Sequence, residues 1–140
     1  METYMSGAGM RRIGLIASVL TILPLTPSAA DTALECGVQV SSQVEIASCV
    51  SAQVNIVGLA LDQALGFARD AAVELDGVTG RDVALPALEK SQGAWVAYRD
   101  AQCRYRATLF GGGSGSGIAE GACHVALTRA RIAELMASLP

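Results

Sequence analysis

The chain has 140 residues, ten of them basic and thirteen acidic, for a net charge of −3. Without a basic excess to displace counterions from phosphates, nucleic acid is excluded as a partner. Hydrophobic residues make up 51% of the sequence and aromatic residues 4%, which suits one small, mainly aliphatic core.

Arg11 and Arg12 open the first recognisable element, the apolar run Ile13 to Leu25, and Ser28, Ala29 and Ala30 follow as the small residues a signal peptidase needs. Pro24 interrupts the run, which is shorter than the roughly 20 residues of a membrane span. Residues 1–30 are therefore expected to be an export signal cut after Ala30, with Met10 a candidate true start. Residues 31–140 keep eight basic and twelve acidic residues and are expected to form one domain without a membrane span.

Three helices are predicted in this part, and no strand pattern competes with them. The first starts at Ser42, where Glu45 three residues later completes a capping box. Val50, Val54, Val57, Leu61, Leu65, Ala68, Ala72 and Leu75 then recur by threes and fours, the spacing of one buried helical stripe. Residues 76–82 (DGVTGRD) read as a connection. A second helix opens near Asp82 with Pro86 in its first turn and places Leu88, Trp95, Tyr98, Gln102, Tyr105 and Leu109 on one face. The Gly/Ser stretch 111–117 ends it, and a third helix runs from Ile118 to Leu139 with Ile118, Ala122, Val125, Ile132, Leu135 and Leu139 inward. The fold class is thus all-α, a small bundle or hairpin of about three helices.

All four cysteines, Cys36, Cys49, Cys103 and Cys123, lie in the exported part, and an even count there reads as two disulfides. Thirteen residues of unbroken helix would hold Cys36 and Cys49 about 20 Å apart, beyond the roughly 4–7 Å of bridged alpha carbons. A loop before Ser42 removes that difficulty. Cys103 and Cys123 flank the Gly/Ser turn and can staple the helices on either side. Proximity thus favours 36–49 and 103–123, with crossed pairings open. No metal is expected, since there is no Cys-x-x-Cys and His124 is the sole histidine.

The chemistry-bearing residues do not assemble into a catalytic set. The run GGGSGSG follows a helix rather than a strand, and no Gly-Lys-Ser or Gly-Lys-Thr ends it, so it reads as a turn and not a phosphate loop. Arg99 and Asp100 are neighbours that should diverge on a helix, leaving Asp100 and Arg104 as a weak i,i+4 pair. No pair of carboxylates is singled out for glycoside cleavage, and no enzyme or cofactor is expected. Loops on a rigid scaffold often carry function, so the turn is the candidate contact element, with Gly112, Gly113 and Ser114 at its tip and Arg104, Arg106 and Glu120 on its flanks.

SQGAWVAYRDAQC, the following GGGS, and CHVALTRARIAEL resemble the LprI-like lysozyme-inhibitor family of exported bacterial domains. The early cysteine spacing and the Leu61-Asp62 pair also fit, so the likeness spans residues 35–135. It implies a helical, disulfide-linked protein of the periplasm or cell exterior, and a lysozyme-type cell-wall hydrolase as the partner it inhibits. The alternative is an envelope interaction module with another partner. Trp95, Tyr98, Arg99, Asp100, Cys103, Gly112, Gly113, Ser114, Cys123, Leu127, Thr128 and Arg131 are the matched positions. Asp62 and Leu65 depart from the family's usual asparagine and tyrosine, and Gly115, Ser116 and Gly117 lengthen the glycine turn.

Overall fold

A computed structural model describes residues 31–140; the expected export signal and the candidate start at Met10 lie outside the described residues. The fold is all-α, with four helices: α1 (Thr32–Gly37), α2 (Gln43–Thr79), α3 (Ala84–Thr108) and α4 (Gly115–Ala137). No strand occurs among the described residues. Short connections make α3 antiparallel to α2 and α4 antiparallel to α3, so that α4 runs parallel to α2, and α4 lies against both of the others.

The short α1 is an element that periodicity did not reveal, because six residues are too few to display an apolar stripe. Its local signal is Asp31, whose carboxylate accepts the amide of Ala33 at 2.9 Å as an N-cap. Such a short helix persists only through tertiary contacts. Here the Cys36–Cys49 bond supplies one, and Cys36, Val50 and Ile118 bury the helix in a small satellite cluster.

The capping box at Ser42 and Glu45 forms as expected, with the Glu45 amide donating to Ser42 Oγ at 3.2 Å. Along α2, Val50, Val57, Leu61, Leu65 and Ala68 are buried as the stripe predicts, whereas Leu75 is exposed. The main core joins Leu61, Ala64, Leu65 and Ala68 to Leu135, with Leu88, Trp95, Ile132 and Leu139 packed around it. At the other end of the contact, Gly121 lets α4 approach α2. A Cβ at that position would stand 2.7 Å from Val50 Cγ1, and Val50 is itself buried.

Two boundaries and one helix face differ from the expected ones. Residues 76–79 continue α2 rather than leaving it, and the chain turns only at Gly80, in the left-handed region. Asp76 explains why: its buried carboxylate accepts the amides of Val83, Ala84 and Leu85 at 3.1, 2.8 and 3.0 Å. It thereby caps α3, whose own N-cap, Val83, has no side chain able to do so. Residues 115–117 are the first turn of α4 rather than loop, fixed by Ser116, whose hydroxyl donates to the Ala107 carbonyl at 3.1 Å.

The third difference concerns the face of α3. Tyr98, Tyr105 and Leu109 are exposed, not buried, because the inward line is Gln92, Cys103 and Ala107. At 100° per residue the expected line lies roughly 120° round the helix from Gln92, Cys103 and Ala107, so packing against α4, and not the apolar spacing, sets which side of α3 faces inward. The Cys103–Cys123 bond then holds Cys103 inward.

Lastly, α2 is long and apolar enough, by length and composition, to cross a membrane. The same helix packs against α1, α3 and α4, so its length and composition do not overturn the expectation that residues 31–140 hold no span.

The backbone amides on Asp76 hold its carboxyl below its ordinary value of 3.8. A carboxylate with a depressed folded-state pKa contributes fully above its unfolded pKa and loses that contribution as pH falls through the folded value. Asp76→Ala is expected to lower the melting temperature at pH 7 by roughly 5–10 °C. The gap from wild type should begin to narrow below about pH 4 and go on narrowing as pH falls through the folded value. Melting curves at pH 7 and pH 3 check this, and a gap unchanged between them contradicts the capping role.

Candidate functional site

The turn between α3 and α4 is built from the end of one helix and the cap of the next. Gly111 and Gly112 have φ of 61° and 78°, a region that side chains with a Cβ rarely enter. The Gly113 amide then donates to the Phe110 carbonyl at 3.2 Å and the Ser116 amide to the Gly113 carbonyl at 3.0 Å. Residues 111–114 are exposed at the tip. Below them Cys103 and Cys123 are joined, with alpha carbons 5.4 Å apart. Cys36 and Cys49 are likewise joined, at 5.9 Å.

A cavity of about 490 Å³ opens beside the turn. Leu34 from α1, Ile46 from α2, Phe110 from the turn and Ile118, Ala122 and Leu127 from α4 form its apolar lining, with Asp31, Gln43, Gln102 and Arg106 as polar members. A smaller cavity of about 260 Å³ contains Val50, Ser51, Val54, Glu120 and His124. At 100° per residue the two sets of α4 residues fall on opposite sides of that helix. Arg106 and Glu120 are therefore not brought into one concavity, and Arg104 lines neither. Among the described residues, Arg104 and Arg106 form no ion pair.

The exposed line on α3 changes the character of this end of the molecule. Tyr98, Tyr105 and Leu109 lead toward the tip, where Phe110 joins them, each more than half exposed. Aromatic residues on a surface are enriched where partners bind. Sequence reasoning assigned three of the four to the core, because an apolar stripe at helical spacing has the same pattern whichever way the helix is turned.

The matched polar residues have a different place, at the packing of α3 against α4. Trp95 has the Arg99 guanidinium 5.0 Å and the Arg131 guanidinium 6.0 Å from its ring centre. Arg131, almost wholly buried, donates from Nε to Gln92 Oε1 at 3.1 Å, from Nη2 to Ser91 Oγ at 2.9 Å and from Nη1 to Glu134 at 3.0 Å. Arg99 donates to its neighbour Asp100 at 2.9 Å, so these side chains converge where divergence was expected, and Asp100 turns to Arg99 rather than Arg104. Arg129 bonds Glu35 at 3.3 Å, tying α4 to α1.

His124 Nδ1 stands 3.9 Å from Asp100 Oδ1. Burial pushes the imidazole below its ordinary pKa, Arg99 adds to that, and Asp100 and Glu120 oppose it. Ser51 borders the same cavity, but no hydrogen bond joins it to His124 among the described residues. No group of three or more histidine, cysteine, aspartate or glutamate side chains among the described residues could hold a metal ion.

Comparison with known proteins adds a family. The model described as "Lysozyme inhibitor LprI" matches residues 36–135. A protein of Rhizobium meliloti (strain 1021), named "Uncharacterized protein R02472", is 46% identical over 52 residues, covering 37% of this chain and 37% of the relative. The matched part is thus little more than a third of that relative's length. No solved structure matches the chain.

Proposed function

We propose, on the premise that this chain belongs to the LprI lysozyme-inhibitor family, that it is exported and blocks a lysozyme or related muramidase in the bacterial envelope. The observation that carries this reading is the family match over residues 36–135, which takes in both disulfides, all of α2 and α3 and α4 as far as Leu135. Two disulfides in a chain with an expected export signal suit the oxidising space outside the cytoplasm. The protein acts by binding rather than turnover, with no cofactor.

The contact is placed at the α3–α4 turn. Gly112, Gly113 and Ser114 present a narrow, uncharged tip, with Arg104 and Arg106 behind it and Tyr105 and Phe110 as exposed aromatic anchors. Muramidases cleave glycosidic bonds with paired carboxylates. A tip flanked by guanidinium groups complements a cleft of that charge. Glu120, on the other side of α4, lies outside this contact.

The test is the rate of cell-wall lysis by several lysozymes as the oxidised protein is titrated in. The expected result is saturable inhibition near one-to-one stoichiometry. Gly113→Glu with Ser114→Glu should weaken inhibition by about tenfold or more while leaving the helical circular dichroism intact, since acidic residues suit the start of α4. Full activity of every lysozyme at high inhibitor concentration refutes the reading. Undiminished inhibition by the double variant refutes only the placement.

A further inference from the structure

The outward side of α2 carries large apolar and acidic side chains that nothing in the described chain covers. Ile56, Leu59 and Phe67 are 56%, 68% and 57% exposed, and only 17% of the helix's most apolar 18-residue stretch is buried. Asp62, Asp70 and Glu74 stand among them, all exposed. At 100° per residue these six fall within an arc of about 140°, away from the buried Val57, Leu61, Leu65 and Ala68. Large apolar side chains exposed along one helix face are a feature of interaction sites.

Charge selects the occupant. The one basic residue of α2, Arg69, is taken by Glu89 at 2.6 Å. Asp62, Asp70 and Glu74 are in no ion pair among the described residues. A second copy docked by two-fold symmetry would set this acidic patch against itself, and an anionic bilayer would repel it. A cationic protein surface satisfies both the apolar and the acidic residues. We propose that the outward face of α2, through Ile56, Leu59, Asp62, Phe67, Asp70 and Glu74, docks the cationic surface of the muramidase. This rests on the inhibitor reading and adds a second contact, distinct from the turn and opposite to it in charge. The turn addresses a carboxylate-lined cleft, while α2 addresses the basic exterior and steers its approach.

The experiment measures binding of the oxidised protein to a basic lysozyme at low and high salt, with two variants. Asp62→Lys/Asp70→Lys/Glu74→Lys should slow association and weaken binding about tenfold or more at low salt, and should reduce the dependence on salt. Leu59→Ser/Phe67→Ser should weaken binding about tenfold at both salt concentrations. Both sets lie on an exposed helix face, and melting curves like that of wild type establish that the fold is kept. Wild-type affinity in both variants, with wild-type inhibition intact, overturns the α2 contact and leaves the inhibitor reading standing. A wild-type protein that binds no lysozyme overturns both. Dimerisation, or sedimentation with phosphatidylglycerol vesicles, that is abolished by Leu59→Ser/Phe67→Ser while lysozyme binding is unaffected assigns the face to another occupant and overturns the proposal.

Discussion

Replacing Cys103 and Cys123 together with alanine lowers the melting temperature by roughly 10–20 °C, measured by circular dichroism without reductant. The bond closes a loop between residues 20 apart, and cross-linking a loop of that length stabilises by about 3 kcal/mol, chiefly by restricting the unfolded chain. Cys103 is wholly buried, so the alanines also leave the α3–α4 contact incompletely filled. The pair Cys36→Ala/Cys49→Ala should have a smaller effect. It releases α1, which can detach while the α2–α4 bundle persists, whereas the first pair opens the hairpin that bears the turn. A larger loss from the 36–49 pair would mean that α1 and its cluster with Val50 and Ile118 anchor the fold more than the hairpin does.

Arg131→Met is expected to cost about 2–4 kcal/mol in denaturant unfolding, the range for stranding a buried polar group when its partner is lost. The guanidinium satisfies Gln92 and Ser91 across the α3–α4 interface and borders the Trp95 ring. Removing it leaves the amide oxygen of the buried Gln92 without a partner. Arg131→Lys restores little, because an ammonium cannot reproduce the planar fork that reaches Gln92, Ser91 and Glu134 together. Adding Gln92→Leu to Arg131→Met should recover part of the loss, since the stranded group is then gone as well. Strict additivity of the two substitutions would deny that this bond supports the interface.

These residues show what could be read from sequence and what could not. The helical class, the capping box at Ser42 and the core positions of α4 were legible, because a 3.6-residue apolar period and a local cap are properties of neighbours in the chain. The disulfide partners were favoured by proximity alone, and the bonds Cys36–Cys49 and Cys103–Cys123 follow that order. Asp76 was misplaced into a loop because DGVTG carries turn residues, and its carboxylate's task lies seven to nine residues onward at the start of another helix. The convergence of Arg99 with Asp100 was hidden for a related reason. Backbone direction separates adjacent side chains, but a long guanidinium beside Trp95 can fold back. At the turn, the position of the glycines was legible, while the exposed Tyr98, Tyr105 and Leu109 depended on a rotation of α3 that spacing left unresolved.

Both covalent links sit toward the same end of the bundle, where α2 begins, α3 ends and α4 begins. The opposite half, toward Gly80, is joined without a covalent link, by the reach of the Asp76 carboxylate, the Arg69–Glu89 pair, the Arg131 bonds to Ser91 and Gln92, and side-chain packing. Resistance to local opening is therefore graded along the long axis. Amide exchange and proteolytic nicking should begin at the Gly80–Asp82 bend and advance toward the stapled end, which keeps its shape after the far end has loosened. A recognition tip built on the stapled end meets its partner already rigid, and the ordering cost that a looser loop would face on binding was met when the disulfides closed.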